Sequence, residues 1–165
     1  MASSDVGFQA PEATDKRMQN MSYGRFAVIL SINLIVMFIL TMAFIEKFDH
    51  FYTNISNFYM ALLMLAPMAM LMLALMGGML PDKKVNITLL VGFGLLFVAT
   101  LWLGRTEAFI GNEQFLKAMI PHHSRAILVC KQASITDPEI VQLCGQIIES
   151  QQQEIEQMQN ILKHY

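Results

Sequence analysis

The chain has 165 residues, of which 55% are hydrophobic and 15% are charged, and its formal net charge at pH 7 is −2. This composition is unusual for a soluble domain and is typical of a small membrane protein. No dense run of basic residues is present, so the sequence gives no sign of a nucleic-acid partner.

Residues 1–24 form a polar N-terminal tail that we expect to be poorly ordered. Three uncharged apolar windows follow, at residues 26–45, 58–80 and 85–104. Each is long enough to cross a hydrocarbon core about 30 Å thick. They predict a three-helix transmembrane domain over residues 25–105. The first window lacks a small-residue cleavage site, so we interpret it as a retained helix and not as a signal peptide.

The charges that flank the windows predict an orientation in the lipid bilayer. Lys16, Arg17 and Arg25 precede the first window, and Lys83 and Lys84 lie in the short turn between the second and third. The positive-inside rule places these residues in the cytoplasm. Three crossings then place the C-terminal segment on the opposite side. We expect a bacterial inner-membrane protein with a cytoplasmic N-terminus and a periplasmic C-terminal domain.

The second window carries methionine at every fourth position. The stripe consists of Met60, Met64, Met68, Met72 and Met76. A spacing of four drifts slowly around a helix. Methionine is a flexible apolar residue that fills irregular space, so the stripe favours packing and lipid contact. The alternative is that it forms a path for metal transfer or transport across the membrane.

Residues 106–165 differ from the preceding windows because their apolar residues recur at helical spacing between charges. We predict two antiparallel helices, over residues 112–134 and 137–163. Thr136 and Glu139 have the spacing of a capping box at the start of the second helix, and Pro138 suits its first turn.

The second of these helices carries an apolar seam with alternating steps of three and four residues. The seam consists of Val141, Cys144, Ile148, Gln151, Ile155, Met158 and Leu162. Two helices are too few to enclose a core alone. We therefore predict that the hairpin forms a four-helix bundle by homodimerisation.

The stretch "FLKAMIPHHSRAILVC", residues 115–130, contains the candidate site. Met119 lies one turn before His123, with His122 at the edge of the same face. Pro121 blocks a helical hydrogen bond and frees a backbone carbonyl near Lys117. Residues at equal distance from the turn should meet, which brings Glu154 near Met119.

The same reasoning places Met158 within reach of Met119 and sets Cys130 level with Cys144. Imidazole and sulfur donors together favour copper, especially Cu(I), with zinc as an alternative. The cysteines are open to three interpretations: packed thiols, a disulfide, or soft metal ligands. The candidate metal ligands are His122, His123, Met119, Met158, Glu154, Cys130 and Cys144.

These residues resemble a known family. The motif Met119-Ile120-Pro121-His122-His123 is followed by Ala126-Ile127. Further along the chain stand Ile147, Ile148, Gln151 or Gln152, Glu154, Ile155 and Met158. Together these residues resemble the bacterial domain of unknown function 305. The resemblance covers about residues 112–163. It implies a ferritin-like helical bundle and, from some relatives, periplasmic copper or silver binding by the histidines and methionines. The family often has glycine at the position of Arg125 and methionine at that of Val129.

The sequence thus predicts an all-α protein: three transmembrane helices followed by an extramembrane hairpin that binds a soft metal in metal handling or resistance. It contains no nucleophile–base arrangement, so we expect no enzymatic activity, and we expect no organic cofactor. A third hypothesis is that the hairpin is a metal-free module for oligomerisation or partner binding.

Overall fold

The computed structural model describes residues 22–76, 78 and 80–165, and this part of the chain contains helices and no strand. The predicted tail at residues 1–24 falls almost entirely outside the described residues. Five α-helices follow in order: α1 Tyr23–Leu40, α2 Ile55–Met76, α3 Lys83–Arg105, α4 Asn112–Gln132 and α5 Pro138–Leu162. A short 3₁₀-helix, Phe48–His50, lies between α1 and α2.

Helices α1, α2 and α3 are each long and apolar enough to cross a membrane. They form a three-helix unit in which α2 is central, with Leu65 and Leu73 buried against Phe26 and Leu30 of α1. In the apolar windows of α1 and α3 only 11% and 6% of the residues are buried. Most of the apolar surface of the unit therefore faces outward, as it does in helices that contact lipid.

The first helix is shorter than its apolar window predicts. Helix α1 ends at Leu40. The hydroxyl of Thr41 donates a hydrogen bond to the carbonyl of Phe38 at 2.7 Å. The amides of Met42 and Ala43 then bond to carbonyls three residues back. This tight turn removes residues 41–45 from the helix, although they are apolar and uncharged.

Helices α1 and α3 begin at the same end of the unit. The Asp82 carboxylate caps α3 by accepting a hydrogen bond from the amide of Lys84 at 2.8 Å. The hydroxyl of Tyr23 donates to the backbone carbonyl of Asp82 at 2.9 Å. Because α3 is antiparallel to α2, the C-terminal hairpin lies at the opposite end of the unit from Lys83 and Lys84.

Helices α4 and α5 form the predicted antiparallel hairpin, with ends within two residues of the expected ones. Their contact is built on Ile120, Ile127 and Ile155, which are almost fully buried. Pro138 occupies the first turn of α5, as predicted. The predicted cap at Thr136 is wrong by one residue, because the Asp137 carboxylate accepts hydrogen bonds from the amides of Glu139 and Ile140.

The part of the apolar seam of α5 from Ile148 to Leu162 is used within the chain. Ile148, Met158 and Leu162 pack around Ile155 against α4, and Tyr52 from the α1–α2 loop packs against the same cluster. The loop therefore supplies part of the cover that the hairpin lacks on its own.

A buried serine joins the hairpin to the α1–α2 loop. Ser124 is fully buried. Its hydroxyl accepts a hydrogen bond from the backbone amide of Glu46 at 2.7 Å and shares one with Nδ1 of His50 at 2.8 Å. Lys131 also forms an ion pair with the Glu46 side chain. The loop is thus attached to α4 over about two helical turns.

Pro121 contributes to the same junction. The proline prevents the carbonyl of Lys117 from forming its usual helical bond, and the side-chain amide of Asn54 donates to that carbonyl at 3.3 Å. In the first turn of α4, Gln114 accepts a hydrogen bond from the amide of Ile55, the first residue of α2, at 3.0 Å. The carbonyl freed by Pro121 is therefore bonded to the loop.

The methionine stripe of α2 does not follow one environment. Met60 and Met64 are 53% and 42% exposed. Met68 and Met72 pack against the core of the three-helix unit, and Met76 is again exposed. Because residues four apart shift gradually around a helix, the middle methionines of the stripe face the core and those at its ends are exposed.

We predict that Ser124→Ala loosens the hairpin from the α1–α2 loop. The substitution leaves the part-buried amide of Glu46 without its acceptor, which costs at most about 1–3 kcal/mol. The expected result is lower thermal stability of the detergent-solubilised protein and faster hydrogen exchange at the Glu46 amide. Ser150→Ala, on the exposed face of α5, is the control and should change neither quantity. Unchanged exchange at Glu46 in Ser124→Ala would contradict the assigned contact.

Candidate metal site

A cavity of about 580 Å³ lies where the three-helix unit meets the hairpin. Its walls come from the start of the α1–α2 loop, the first turns of α2, the α3–α4 linker and one side of α4. Eight of the 16 residues that line the cavity are apolar, and seven have polar side chains. This combination of shape and lining is typical of a small-ligand or ion site.

Two of the predicted metal ligands, Met119 and His122, line this cavity. They are three residues apart on α4 and therefore neighbours on the helix surface. Met119 is half-buried and His122 is exposed. The thioether and the imidazole are thus on the same wall, and the ring remains accessible to an incoming ion.

His123 faces a different neighbour. Its Nδ1 lies 2.9 Å from a carboxylate oxygen of Glu154 on α5, and its side chain is only 12% exposed. This nitrogen is buried and has no aligned hydrogen-bond partner in the described part of the chain. The short distance shows an electrostatic contact between the imidazole and the half-exposed Glu154 carboxylate. Glu154 is therefore placed to orient the His123 ring.

The two imidazole rings are neighbours in spite of their different partners. Their centroids are 5.9 Å apart and their planes are inclined by 62°. Burial lowers the pKa of His123 below its ordinary value of 6.5, while the Glu154 carboxylate acts to raise this pKa and the nearby His122 acts to lower it. Burial is the largest effect, so the neutral ring is favoured. A neutral imidazole is the form that binds a metal ion.

The two cysteines form a disulfide between α4 and α5. Cys130 and Cys144 are bonded, with Cα atoms 5.3 Å apart. Of the three interpretations that the sequence leaves open for these cysteines, the structure shows the disulfide. A disulfide offers no thiolate to a metal ion. Cys130 and Cys144 therefore leave the predicted set of donors in this oxidised form.

Met158 packs into the hydrophobic core of the hairpin beside Ile155. It does not line the cavity that contains Met119 and His122. The expected cluster on a single inward face is thus divided: Met119 and His122 face the cavity, His123 and Glu154 lie between the helices, and Met158 lies in the core.

The cavity also contains residues that sequence reasoning did not assign to it. Met60 of α2 forms part of its wall, as do Glu107 and Arg125. In the sequence Met60 is one member of the methionine stripe, and its position at the hairpin end of α2 is the signal that sets it apart. Glu107 lies in the α3–α4 linker, and no motif marks it.

Glu107 and Arg125 are both engaged by neighbours. Glu107 has a positive φ of 46°, and its carboxylate accepts a hydrogen bond from the hydroxyl of Ser56 at 2.8 Å. The guanidinium carbon of Arg125 lies 5.5 Å from the centre of the Phe44 ring, within the range of a cation–π contact. The cavity wall thus carries one acidic and one basic group whose formal charges cancel.

In residues 22–76, 78 and 80–165, no group of three or more His, Cys, Asp or Glu side chains could hold a metal ion. Zinc and hard cations usually take their ligands from those residue types. Soft ions such as Cu(I) also accept the thioether of methionine. Met119 and His122, which both line the cavity, offer one thioether and one imidazole.

Comparison with known proteins places these residues in a family. The family model described as "Domain of unknown function (DUF305)" matches residues 105–162. The protein described as "Uncharacterized protein L153" from Acanthamoeba polyphaga mimivirus is 38% identical over 111 residues, which are 66% of this chain and 71% of that protein. No solved structure matches the chain.

The aligned stretch in the viral protein is longer than the segment from residue 105 to residue 165, so the similarity also includes part of the three-helix unit. The hairpin carries the family match, and the motif Met-Ile-Pro-His-His lies within it. This chain belongs to the DUF305 family.

Proposed function

We propose that this protein is a membrane-anchored binding protein for a soft metal ion, with Cu(I) as the ion that its donors suit best. The observation that carries the proposal is that Met119 and His122 line one cavity beside the three-helix unit. A neutral imidazole and a thioether are both ligands that Cu(I) accepts. The proposed role is to bind the ion in metal handling or resistance, without catalysis. Silver, which has similar ligand preferences, is the alternative ion.

His123 and Glu154 support the neighbouring imidazole in this proposal. A carboxylate that contacts one ring nitrogen fixes the orientation of the ring and leaves the other nitrogen for a metal ion. The lowered pKa of His123 keeps this ring neutral near pH 7. His123 can therefore add a second nitrogen donor next to His122.

We propose that α1, α2 and α3 span a membrane and that the hairpin lies on its non-cytoplasmic side. Two observations support this topology. Lys83 and Lys84 lie at the opposite end of the unit from the hairpin, and the hairpin carries the Cys130–Cys144 disulfide. Basic residues favour the cytoplasmic side, and disulfides persist in oxidising compartments. In a bacterial cell, that compartment is the periplasm.

We further propose that two copies pair through the far end of the hairpin. Ile140, Val141 and Leu143, in the first turns of α5, are 48–51% exposed. Val129, near the end of α4, is 53% exposed. The apolar seam below them is already used within the chain, so this end is the surface left for a second hairpin. Such a pair would complete a four-helix bundle.

The metal proposal predicts that the histidine pair is required for copper binding. The purified full-length protein in detergent is titrated with Cu(I) in competition with a chromogenic Cu(I) chelator. We expect the double substitution His122→Asn and His123→Asn to weaken binding by more than about 100-fold, because removing ligands should exceed the 10–100-fold effect of removing a supporting group.

His164→Asn is the matched control for this titration, since His164 is exposed near the C-terminus. It should bind copper as the unmodified protein does. Equal copper stoichiometry and affinity in the double variant and the unmodified protein would contradict the proposal.

The two neighbours of His123 predict opposite changes in its pKa. NMR titration of the imidazole should give a pKa below 6.5 in the unmodified protein. Glu154→Gln should lower this pKa further, because the carboxylate stabilises the charged ring. His122→Ala should raise it, because a second cationic ring is removed. Shifts in the reverse directions would contradict the assigned contacts.

The lowered pKa also predicts how stability depends on pH. Between the folded and unfolded pKa values the unfolded chain binds more protons at this position, so folding is disfavoured as the pH falls. The contribution of His123 to the free energy of unfolding is complete above pH 6.5 and is lost as the pH falls through the folded pKa. Copper affinity should fall over the same range, because protons compete for the ring.

The dimer proposal predicts that a charge at the exposed end of the hairpin separates the copies. Leu143→Glu should shift the full-length protein from dimer to monomer in light-scattering measurements, with at least about a tenfold loss of dimer affinity, since a charge is then buried in an apolar contact. Gln142→Glu adds the same charge at the neighbouring exposed position and should leave the dimer intact. A monomer in the unmodified protein, or a Leu143→Glu variant that remains dimeric, would exclude this interface.

A further inference from the structure

The cavity is lined by residues from different parts of the fold. Met119 and His122 are on the α4 wall, and Met60 is on the α2 wall. The α4 wall belongs to the hairpin that carries the family match, whereas α2 is the central helix of the three-helix unit. The donors of a soft ion are therefore present in both parts of the fold.

Met60 is distinct from the other methionines of α2. It lies in the second turn of the helix, at the end nearest the hairpin, and is 53% exposed. Met64, one turn further along, is 42% exposed but does not line the cavity. Met68 and Met72 are packed in the core of the three-helix unit. One methionine of the stripe thus reaches the cavity together with the α4 donors.

Two hydrogen bonds at the junction join the start of α2 to α4. Gln114 of α4 accepts from the amide of Ile55, the first residue of α2. Asn54, directly before α2, donates to the carbonyl that Pro121 frees in α4. Both contacts flank the cavity and join the same two helices that carry the donors. Helices α2 and α4, which carry Met60 and Met119, are therefore in direct contact.

We propose that Met60 is a third ligand of the soft metal ion, so that the site is shared between the membrane anchor and the hairpin. This inference rests on the proposed function. Imidazole nitrogen with two thioether sulfurs is a donor set suited to Cu(I), because thioethers are soft and uncharged. The stripe of α2 then contributes one residue, at the end of the membrane span nearest the hairpin.

A shared site has a consequence that a site confined to the hairpin lacks. An ion that binds residues of both α2 and α4 favours the state in which the hairpin is packed against the three-helix unit over a state in which the two are apart. The size of this effect depends on the concentration of the ion and on its affinity for the packed state. Occupancy of the site is thereby linked to the position of the hairpin on the membrane anchor. We expect copper to slow hydrogen exchange in residues 46–55, which form the junction.

The test uses the full-length protein in detergent and compares Met60→Leu with Met64→Leu. Leucine keeps the size and apolar character of methionine but removes the sulfur. We expect Met60→Leu to lower Cu(I) affinity by about tenfold or more, the scale seen when a group that supports a metal site is lost. X-ray absorption at the copper edge should show one sulfur neighbour fewer. Met64→Leu, one turn away on the same helix, should match the unmodified protein in both measurements.

Three outcomes are distinguishable. A loss of affinity and of one sulfur in Met60→Leu alone supports the shared site. If Met60→Leu binds as the unmodified protein does, while Met119→Leu and the double histidine variant lose copper, the shared site is excluded and the proposed function stands. If the unmodified protein fails to bind Cu(I) above the level of the double histidine variant, the proposed function fails and the shared site fails with it.

Discussion

The arrangement of this protein depends on the need to satisfy buried polar groups where the hairpin meets the α1–α2 loop. Ser124 has no exposed surface, and its hydroxyl bonds to the amide of Glu46 and to His50. A part-buried amide without its acceptor would cost at most about 1–3 kcal/mol, so these contacts favour one orientation of α4. The side of α4 that carries Ser124 must face the loop. The directions of the other side chains around α4 follow from this, because the helix is rigid.

The two adjacent histidines have different surroundings because of this orientation. Successive helical residues point about 100° apart. With Ser124 against the loop, His122 is directed to the cavity and His123 to Glu154 of α5. Met119 is three residues before one histidine and four before the other, so it is a surface neighbour of both. A single buried serine thus places one imidazole in the open space and gives the other a carboxylate partner.

Much of the fold could be predicted because it follows local rules. Uncharged windows of membrane length gave the three apolar helices, and alternating apolar spacing gave the hairpin. Counting from the hairpin turn set Cys130 level with Cys144, and the two are bonded. The docking of the loop could not be predicted, because His50 and Asn54 stand in a polar segment without periodicity. Their partners are more than 60 residues away in sequence, and only the tertiary fold shows that both residues are buried.

The candidate site was predicted in its residue types but not in its geometry. The motif pointed to Met119, His122 and His123, and all three are near one another on α4. Helical spacing predicts one face for Met119, His123 and Cys130, and it carries no information about which other segments pack on the hairpin. The loop and the first turns of α2 cover part of the hairpin. For this reason Met60 enters the cavity and Met158 is used for packing.

The charge of the cavity wall bears on the kind of ion that these donors could hold. Arg125 is a cation three residues from His122, and alone it would repel a metal ion. Its guanidinium lies against the Phe44 ring, and the Glu107 carboxylate on the same wall balances its formal charge. A hard divalent ion needs several carboxylates to offset the loss of its hydration, and this wall offers one, which is already hydrogen-bonded to Ser56. A monovalent soft ion loses less hydration energy than a divalent one, and bonds to neutral sulfur and nitrogen donors can offset that smaller loss. The near-neutral wall and the neutral donors therefore favour the same class of ion.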